Sequence, residues 1–433
     1  MPLLIYSHKI TPRLVYIFRQ ICVRILNISV EFTSRVEDFV AHDDMKMSYS
    51  KQALGNELFV KNHDLLFDRG ISDIEIHIDN WDDTPCFFSV GEKSAIPFDI
   101  FAASFYLLSR YEEYLPHVKD EFGRFPVGES TAGKNNFLEI PVVDIWALKF
   151  KEILQAKFPE KIFESPSFKA ISILDIPEAY AYRCKSVLRN LIEISKNIYQ
   201  LKFNHLWRRA LVHLQLRNDP FDIYEWILGE HEKYPVEIRF FFLLSEISAY
   251  DKSLSISEPK FKLLIKDLAD KASVGLKISF LAQNDAHKMR VEKERLENII
   301  HRQTDRVRQS FTKHNLPETY RKLIELEIRE DYTMGYATHL GFRASTSFPF
   351  YFYDLGYEIQ TPLKVFPFCA LDAALQKIET ISERNKKLTS LLEIVKVNHG
   401  TFITVFHNYT FSQMDHWRGW RAGYIKLLKQ LCN

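Results

Sequence analysis

Hydrophobic positions along the chain follow two spacings, and the way they alternate divides it. In the first part the pattern is mixed. Residues 3–6 (LLIY) read as a strand. Residues 12–27 open on Pro12 and place Leu14, Ile17, Phe18, Ile21 and Ile25 on one helix face. Residues 57–60 are a short strand candidate, and so is the alternating IEIHI of 74–78. Residues 97–116 (PFDIFAASFYLLSRYEEYLP) predict a helix ended by Pro116, followed by the aperiodic loop DEFGRFPVGEST. A further amphipathic helix covers 141–157. Two prolines in FPEKIFESPS then mark a boundary, so the expected domains are 1–160 and 165–433.

Beyond the boundary, short apolar runs alternate with helical periods. The runs are KAISILDI (169–176), VEIRFFFLLSE (236–246), SVGLKISF (273–280), DYTMGYA (331–337) and GTFITVFHN (400–408). The helical patterns lie at 222–234, 258–271, 289–303, 317–328 and 370–397. This order predicts an α/β fold with a mainly parallel sheet, open or closed into a barrel. In such folds chemistry gathers at the C-terminal ends of the strands. Attention therefore falls on Asp175, Ser245, Lys277, Arg343 and His407. Each has a plain reading beside the functional one. Asp175 is a site carboxylate or a solvated strand end. His407 is a catalyst or a hydrogen-bonded core residue. Arg343 meets a ligand or forms a structural ion pair. Lys277, within an apolar strand, needs a carboxylate partner or a route to water.

Composition removes several function classes. The 433 residues are 46% hydrophobic and 26% charged, which excludes a disordered or disulfide-stapled chain. Lys plus Arg is 57 against 56 for Asp plus Glu, a net charge of +1 that gives no support for nucleic acid as a partner. The five cysteines are widely spaced and read as reduced thiols. The apolar N-terminus is interrupted by Lys9, Arg13, Arg19 and Arg24, and no run approaches the roughly 20 residues of a membrane span. A cytoplasmic protein is expected. No GxSxG, GxGxxG, Walker or HExxH motif occurs. The basic run at 301–314 reads as a solvated helix face. In MDHWRGWRAGY, Trp417 and Trp420 serve either to stack a sugar or to pack the C-terminal helix.

Taken in order, ILDIPEAYAY, FFFLLSE with Tyr250-Asp251-Lys252, VGLKISF, RQSF, PETYRKLIELEIREDYTMGYA, GFRAST and FHN resemble a polysaccharide deacetylase-like family of Bacteroidetes-type bacteria. Upstream, PFDIFAASFYLLSRYEEYL and GRF resemble the domain of unknown function that accompanies it. The resemblance implies a distorted (β/α) barrel of the family-four carbohydrate esterase type, preceded by a smaller α/β domain. It also implies a divalent metal held by Asp/His/His, a base aspartate, and an acid histidine on the last strand. Position by position, Asp175 matches the base, Arg343 the residue that orients it, and His407 the acid. The three metal-ligand positions carry Pro177, Lys277 and Ser310. Zinc hydrolysis needs three protein ligands, so loss of the metal centre is expected, with no cofactor. Displaced ligands would have to come from Asp251, Asp285, His287, His301 or His314. Two functions follow. One is a non-catalytic protein using the cleft, with Lys277, Ser310, Trp417 and Trp420 as binding candidates, for a sugar or a protein partner. The other is an amide hydrolase acting on N-acetylated sugars, with zinc or a related metal on displaced ligands or with none. The vacated position suggests a further expectation, that Lys277 acts as a built-in cation paired with Asp175.

Overall fold

The computed structural model describes residues 2–91 and 93–432. Strands β1 (Leu3–Tyr6), β2 (Val30–Thr33), β3 (Lys46–Ser50) and β4 (Leu58–Lys61) form a parallel sheet in the order β2-β1-β3-β4. Helices Pro12–Phe18, Ile100–Leu108 and Val142–Lys157 join through aromatic rings. Phe18 stacks on Phe101 at 3.7 Å, and Phe150 meets Phe101 edge-on at 5.4 Å. Thr11 caps the first of these helices by accepting from the Leu14 N–H, with Pro12 at its first position. The helical pattern read over 12–27 changes register midway, and Arg19–Ile25 is a π-helix. A hairpin of β5 (Asp79–Trp81) and β6 (Thr84–Cys86) follows. The IEIHI segment at 74–78 forms no strand; its isoleucines rest half-buried on the core.

The larger sheet contains β7 (Lys169–Ile176), β8 (Glu237–Leu243), β9 (Ser273–Ile278), β10 (Arg306–Gln309), β11 (Glu330–Asp331), β12 (Phe350–Asp354), β13 (Ile359–Val365), β14 (Ala370–Leu371) and β15 (Thr401–His407). Its order is β12-β13-β11-β10-β9-β8-β7-β15-β14, parallel except for β12. The expected barrel is met only in part, since β12 and β14 end the ladder without pairing to each other. The sheet is nevertheless strongly rolled. In a flat sheet β7 and β10 would stand about 14 Å apart, yet Arg308 on β10 reaches Asp175 on β7 at 2.9 Å. The concave side is filled by Ile173, Phe241, Tyr332, Phe368 and Val405. Gly275 makes room there, because a Cβ at this position would meet the Phe241 ring at 2.5 Å.

Two elements depart from the sequence pattern for local reasons. The strand expected over 331–337 stops at Asp331. Its carboxylate accepts from the Thr333 N–H at 3.0 Å, the Thr333 hydroxyl and the Tyr320 hydroxyl, and this turns the chain out of the ladder. The helix expected over 370–397 breaks into β14, helix Asp372–Gln376 and helix Ile381–Val397. Thr380 starts the last of these by accepting from the Glu383 N–H at 3.2 Å. Helices Val187–Tyr199 and Phe203–His213 sit between β7 and β8.

Buried ion pairs and hydrogen bonds join the first 160 residues to the larger sheet. Glu113, from RYEEY, holds Arg343, from GFRAST, through both carboxylate oxygens at 2.9 and 2.6 Å, and also accepts from Arg110 at 2.7 Å. Asp144 accepts from the Ser347 N–H at 2.8 Å and from the Thr346 and Ser347 hydroxyls. Two of the most distinctive sequence fragments thus pair with each other across this seam.

Candidate functional site

Strand ends β7, β8, β9 and β15 and the loops beyond them surround a cleft of about 590 Å³. Asp175, Pro177, Lys277, Arg308, Ser310 and His407 all line it. Positions that the sequence aligns with a base, an acid and three metal ligands therefore share one cavity. Ser245, Arg343, Trp417 and Trp420 are not among its lining residues.

Asp175 is fully buried. Its Oδ2 takes the Lys277 ammonium in a direct ion pair and the Arg308 Nε–H at 2.9 Å. The Nε2 of His407 lies 3.8 Å from the same oxygen, while Oδ1 has no hydrogen-bond partner among the described residues. Burial raises the carboxyl pKa, but Lys277, Arg308 and His407 outweigh it and hold the group well below the usual carboxylate range. Burial and the neighbouring Arg308 act the other way on Lys277 and lower its pKa, against the pull of Asp175. Lys277 and Arg308 are direct neighbours across β9 and β10, so a single carboxylate balances two adjacent buried cations.

Arg308 takes the place expected for Arg343. Its guanidinium also donates to the Tyr332 carbonyl at 2.5 Å and lies 4.6 Å above the Phe368 ring. The basic run at 301–314 is thus not a solvated helix face; it contains β10 and turns Arg308 inward. Arg343 is the structural ion pair on Glu113 described above, and orienting Asp175 is not its role here. Trp420 lines a separate small cavity with Tyr424, and Trp417 packs against it at 5.2 Å, so these tryptophans anchor the C-terminal helix. Trp417 packs on the cleft residue Tyr409, 5.4 Å away.

Several site residues carry no signature in the sequence. Asp372, which follows β14, accepts from the Nδ1 of His407 at 2.9 Å and from its backbone N–H at 2.7 Å. This fixes the ring so that Nε2 points toward Asp175. Tyr409 stacks on the His407 ring at 4.7 Å. Phe311, Tyr250 and Phe122 build an aromatic wall, with Phe122 brought in by the DEFGRF loop that follows Pro116. Phe311 and Phe122 approach to 5.2 Å. Phe311 and Thr312 both adopt left-handed backbone angles, φ 60° and 53°, a costly conformation that sets this wall in place. The alternation of charge and ring in DEFGRF was the available signal for Phe122 and Arg124.

The donor set does not suit a divalent metal. Pro177 offers no side-chain donor, Ser310 a neutral hydroxyl, and Lys277 an ammonium that repels a cation. Asp175, the carboxylate beside these positions, is already shared by two cations. The proposed substitutes do not gather either. Of Asp251, Asp285, His287, His301 and His314, only Asp251 lines the cleft. Asp285 caps helix Ala286–Ile300, His301 ends it, and His314 is buried against Tyr320. Burial and Arg343 push the pKa of His314 down to about 3. No group of three or more His, Cys, Asp or Glu able to hold a metal occurs among the described residues.

Residues 3–159 match a family model described as a family of unknown function, DUF7033. A search of curated proteins finds no match. Among solved structures, a chain described as a polysaccharide deacetylase from Mycobacterium smegmatis aligns at 14% identity and a TM-score of 0.39, covering 62% of this chain and 86% of that one. Another, from Bacillus cereus, aligns at 11% identity and a TM-score of 0.30, covering 61% and 88%. A third, from Pseudomonas aeruginosa PAO1, aligns at 11% identity and a TM-score of 0.37, covering 60% and 84%. No helix among the described residues is long and apolar enough to cross a membrane.

Proposed function

We propose that this chain is a polysaccharide deacetylase-like protein whose metal centre has been replaced by an internal cation, and that its cleft binds an N-acetylated sugar without hydrolysing it. Its two domains on this reading are residues 1–160 and 165–433, and its setting is the glycan metabolism of a bacterial cytoplasm. The observation that carries the reading is the Lys277–Asp175–Arg308 cluster on the cleft floor. A general base must hold a proton affinity suited to neutral pH. Asp175, kept far below the ordinary carboxylate range by its two cations, does not. Without a metal, water also keeps its bulk pKa near 15.7.

The same cluster suits recognition. An acetamide carbonyl needs a donor, which the Lys277 ammonium or the Ser310 hydroxyl supplies. Its N–H needs an acceptor, and Oδ1 of Asp175 has no hydrogen-bond partner among the described residues. The sugar ring would lie against Tyr409 or Phe311. Calorimetric titration with the N-acetylglucosamine tetramer tests this, with acetate measured in the same samples. Saturable binding, weakened about tenfold by Tyr409→Ala or Phe311→Ala, and no acetate above the buffer blank are expected. Acetate that increases with protein concentration would overturn the non-catalytic reading. Absence of binding would remove the sugar.

A further inference from the structure

Helices Val187–Tyr199 and Phe203–His213 are amphipathic, but they are mounted inside out. A helix on a water-soluble protein buries its apolar stripe and exposes its polar one. Here polar side chains are turned inward, meeting between the two helices and against the segment just before them. Arg209, 4% exposed, donates to Asn190 at 2.6 Å and to Glu193 at 2.5 Å. Glu193 also holds Lys185 at 2.9 Å, and Glu178 holds Lys185 and Arg189 at 2.8 and 2.5 Å. The apolar side faces outward. Leu188, Leu191, Ile192, Tyr199, Trp207 and Leu214 are each 58–89% exposed. Of 27 exposed large hydrophobic side chains among the described residues, 11 lie within residues 187–216. Scattered apolar exposure is ordinary, but a contiguous face of this extent marks a surface that something covers.

Charge identifies the cover. Glu193 is the single carboxylate between residues 186 and 218, and it points inward. Lys196, Lys202, Arg208 and Arg217 have no ion-pair partner among the described residues. The outer surface of the hairpin therefore combines Trp, Tyr, Leu and Ile with unpaired cations and no anion. That combination fits an interfacial helix pair resting on anionic lipid, its rings at headgroup depth and its basic side chains reaching phosphates. The chain has no membrane-spanning helix among the described residues, so contact would be peripheral.

We infer that this hairpin docks the protein on an anionic membrane surface. Glu178 ties the hairpin's base to the cleft, since it lines the cavity and its carbonyl accepts from Asn408 at 2.9 Å. The inference does not depend on what the cleft binds.

Flotation of the full chain with vesicles tests it. Vesicles of phosphatidylcholine with 30% phosphatidylglycerol, a test composition, are compared with phosphatidylcholine alone. Preferential flotation with the anionic vesicles is expected, weakening in 1 M NaCl. Each cation near such a surface is worth about fivefold in partitioning, so Lys196→Gln with Lys202→Gln should weaken binding about 25-fold. Leu191→Glu with Trp207→Glu, both at exposed positions that leave the core intact, should abolish it. No flotation with either vesicle, or equal flotation of the wild type and Leu191→Glu/Trp207→Glu, overturns the inference. So does a concentration-dependent dimer that survives excess vesicles and is lost in the same variant, since a second copy would then be the cover.

Discussion

Removing either partner of the buried Lys277–Asp175 pair should be costly, and removing both should cost less than the separate losses together. Lys277→Met leaves Asp175 still held by Arg308 at 2.9 Å, so one charge remains compensated. Asp175→Asn leaves Lys277 and Arg308 buried side by side with no directly paired carboxylate, which is the worse state. Breaking a buried pair from one side costs about 3–5 kcal/mol. Retention of Arg308 brings Lys277→Met to roughly 2 kcal/mol, whereas Asp175→Asn stays near roughly 4 kcal/mol. The double variant keeps only Arg308 uncompensated and should lose roughly 3 kcal/mol, a coupling of roughly 3 kcal/mol. Urea unfolding followed by tryptophan fluorescence measures all four proteins. The sign with pH is fixed as well. Asp175 has a depressed folded pKa, so its contribution is full above its unfolded pKa of about 3.9 and is lost as pH falls through the folded value. A coupling below about 0.5 kcal/mol, or equal losses in the two single variants, would refute the reasoning.

Two further outcomes follow. Burial, with a smaller push from Asp251, raises Glu292 from 4.5 to about 7, so the folded state keeps a proton that the unfolded chain has released. Stability should therefore fall as pH rises from about 4.5 to about 7, by up to about 3 kcal/mol, and Glu292→Gln should flatten that part of the melting-temperature profile; an unchanged slope would contradict it. Arg343→Met leaves Glu113 with Arg110 alone and should cost about 3 kcal/mol, while affinity for the N-acetylglucosamine tetramer stays within about twofold of wild type; a folded variant that no longer binds would return Arg343 to the site.

The strands that carry the site were legible because their cores are unbroken apolar runs. KAISILDI, FFFLL and TFITVF can sit only in a sheet covered on both faces. Asp175 and His407 stood out as polar ends of such runs, and Lys277 as a charge within one. Arg308 did not, because the cations of 301–314 read as a solvated helix face, and only the roll of the sheet turns Arg308 inward. Choosing between Arg308 and Arg343 required knowing that Glu113, 230 residues earlier, occupies Arg343. Asp372 was hidden for a similar reason, since its tie to His407 spans 35 residues and has no local period. The 187–213 helices carry no sequence sign of their mounting, because the chain turns many of their apolar side chains to solvent while Arg209 and Glu193 pair on the inner side.

Zinc uptake, compared between the wild type and one triple variant, addresses the central claim most directly. Pro177→Asp, Lys277→His and Ser310→His restore the ligand types that the resemblance assigns to the three cleft positions. After chelator treatment, dialysis against zinc and elemental analysis, the wild type should retain none above background, and the triple variant about one ion per chain. One equivalent of zinc in the wild type, removed by Asp175→Asn, would contradict the account of a metal site replaced by Lys277.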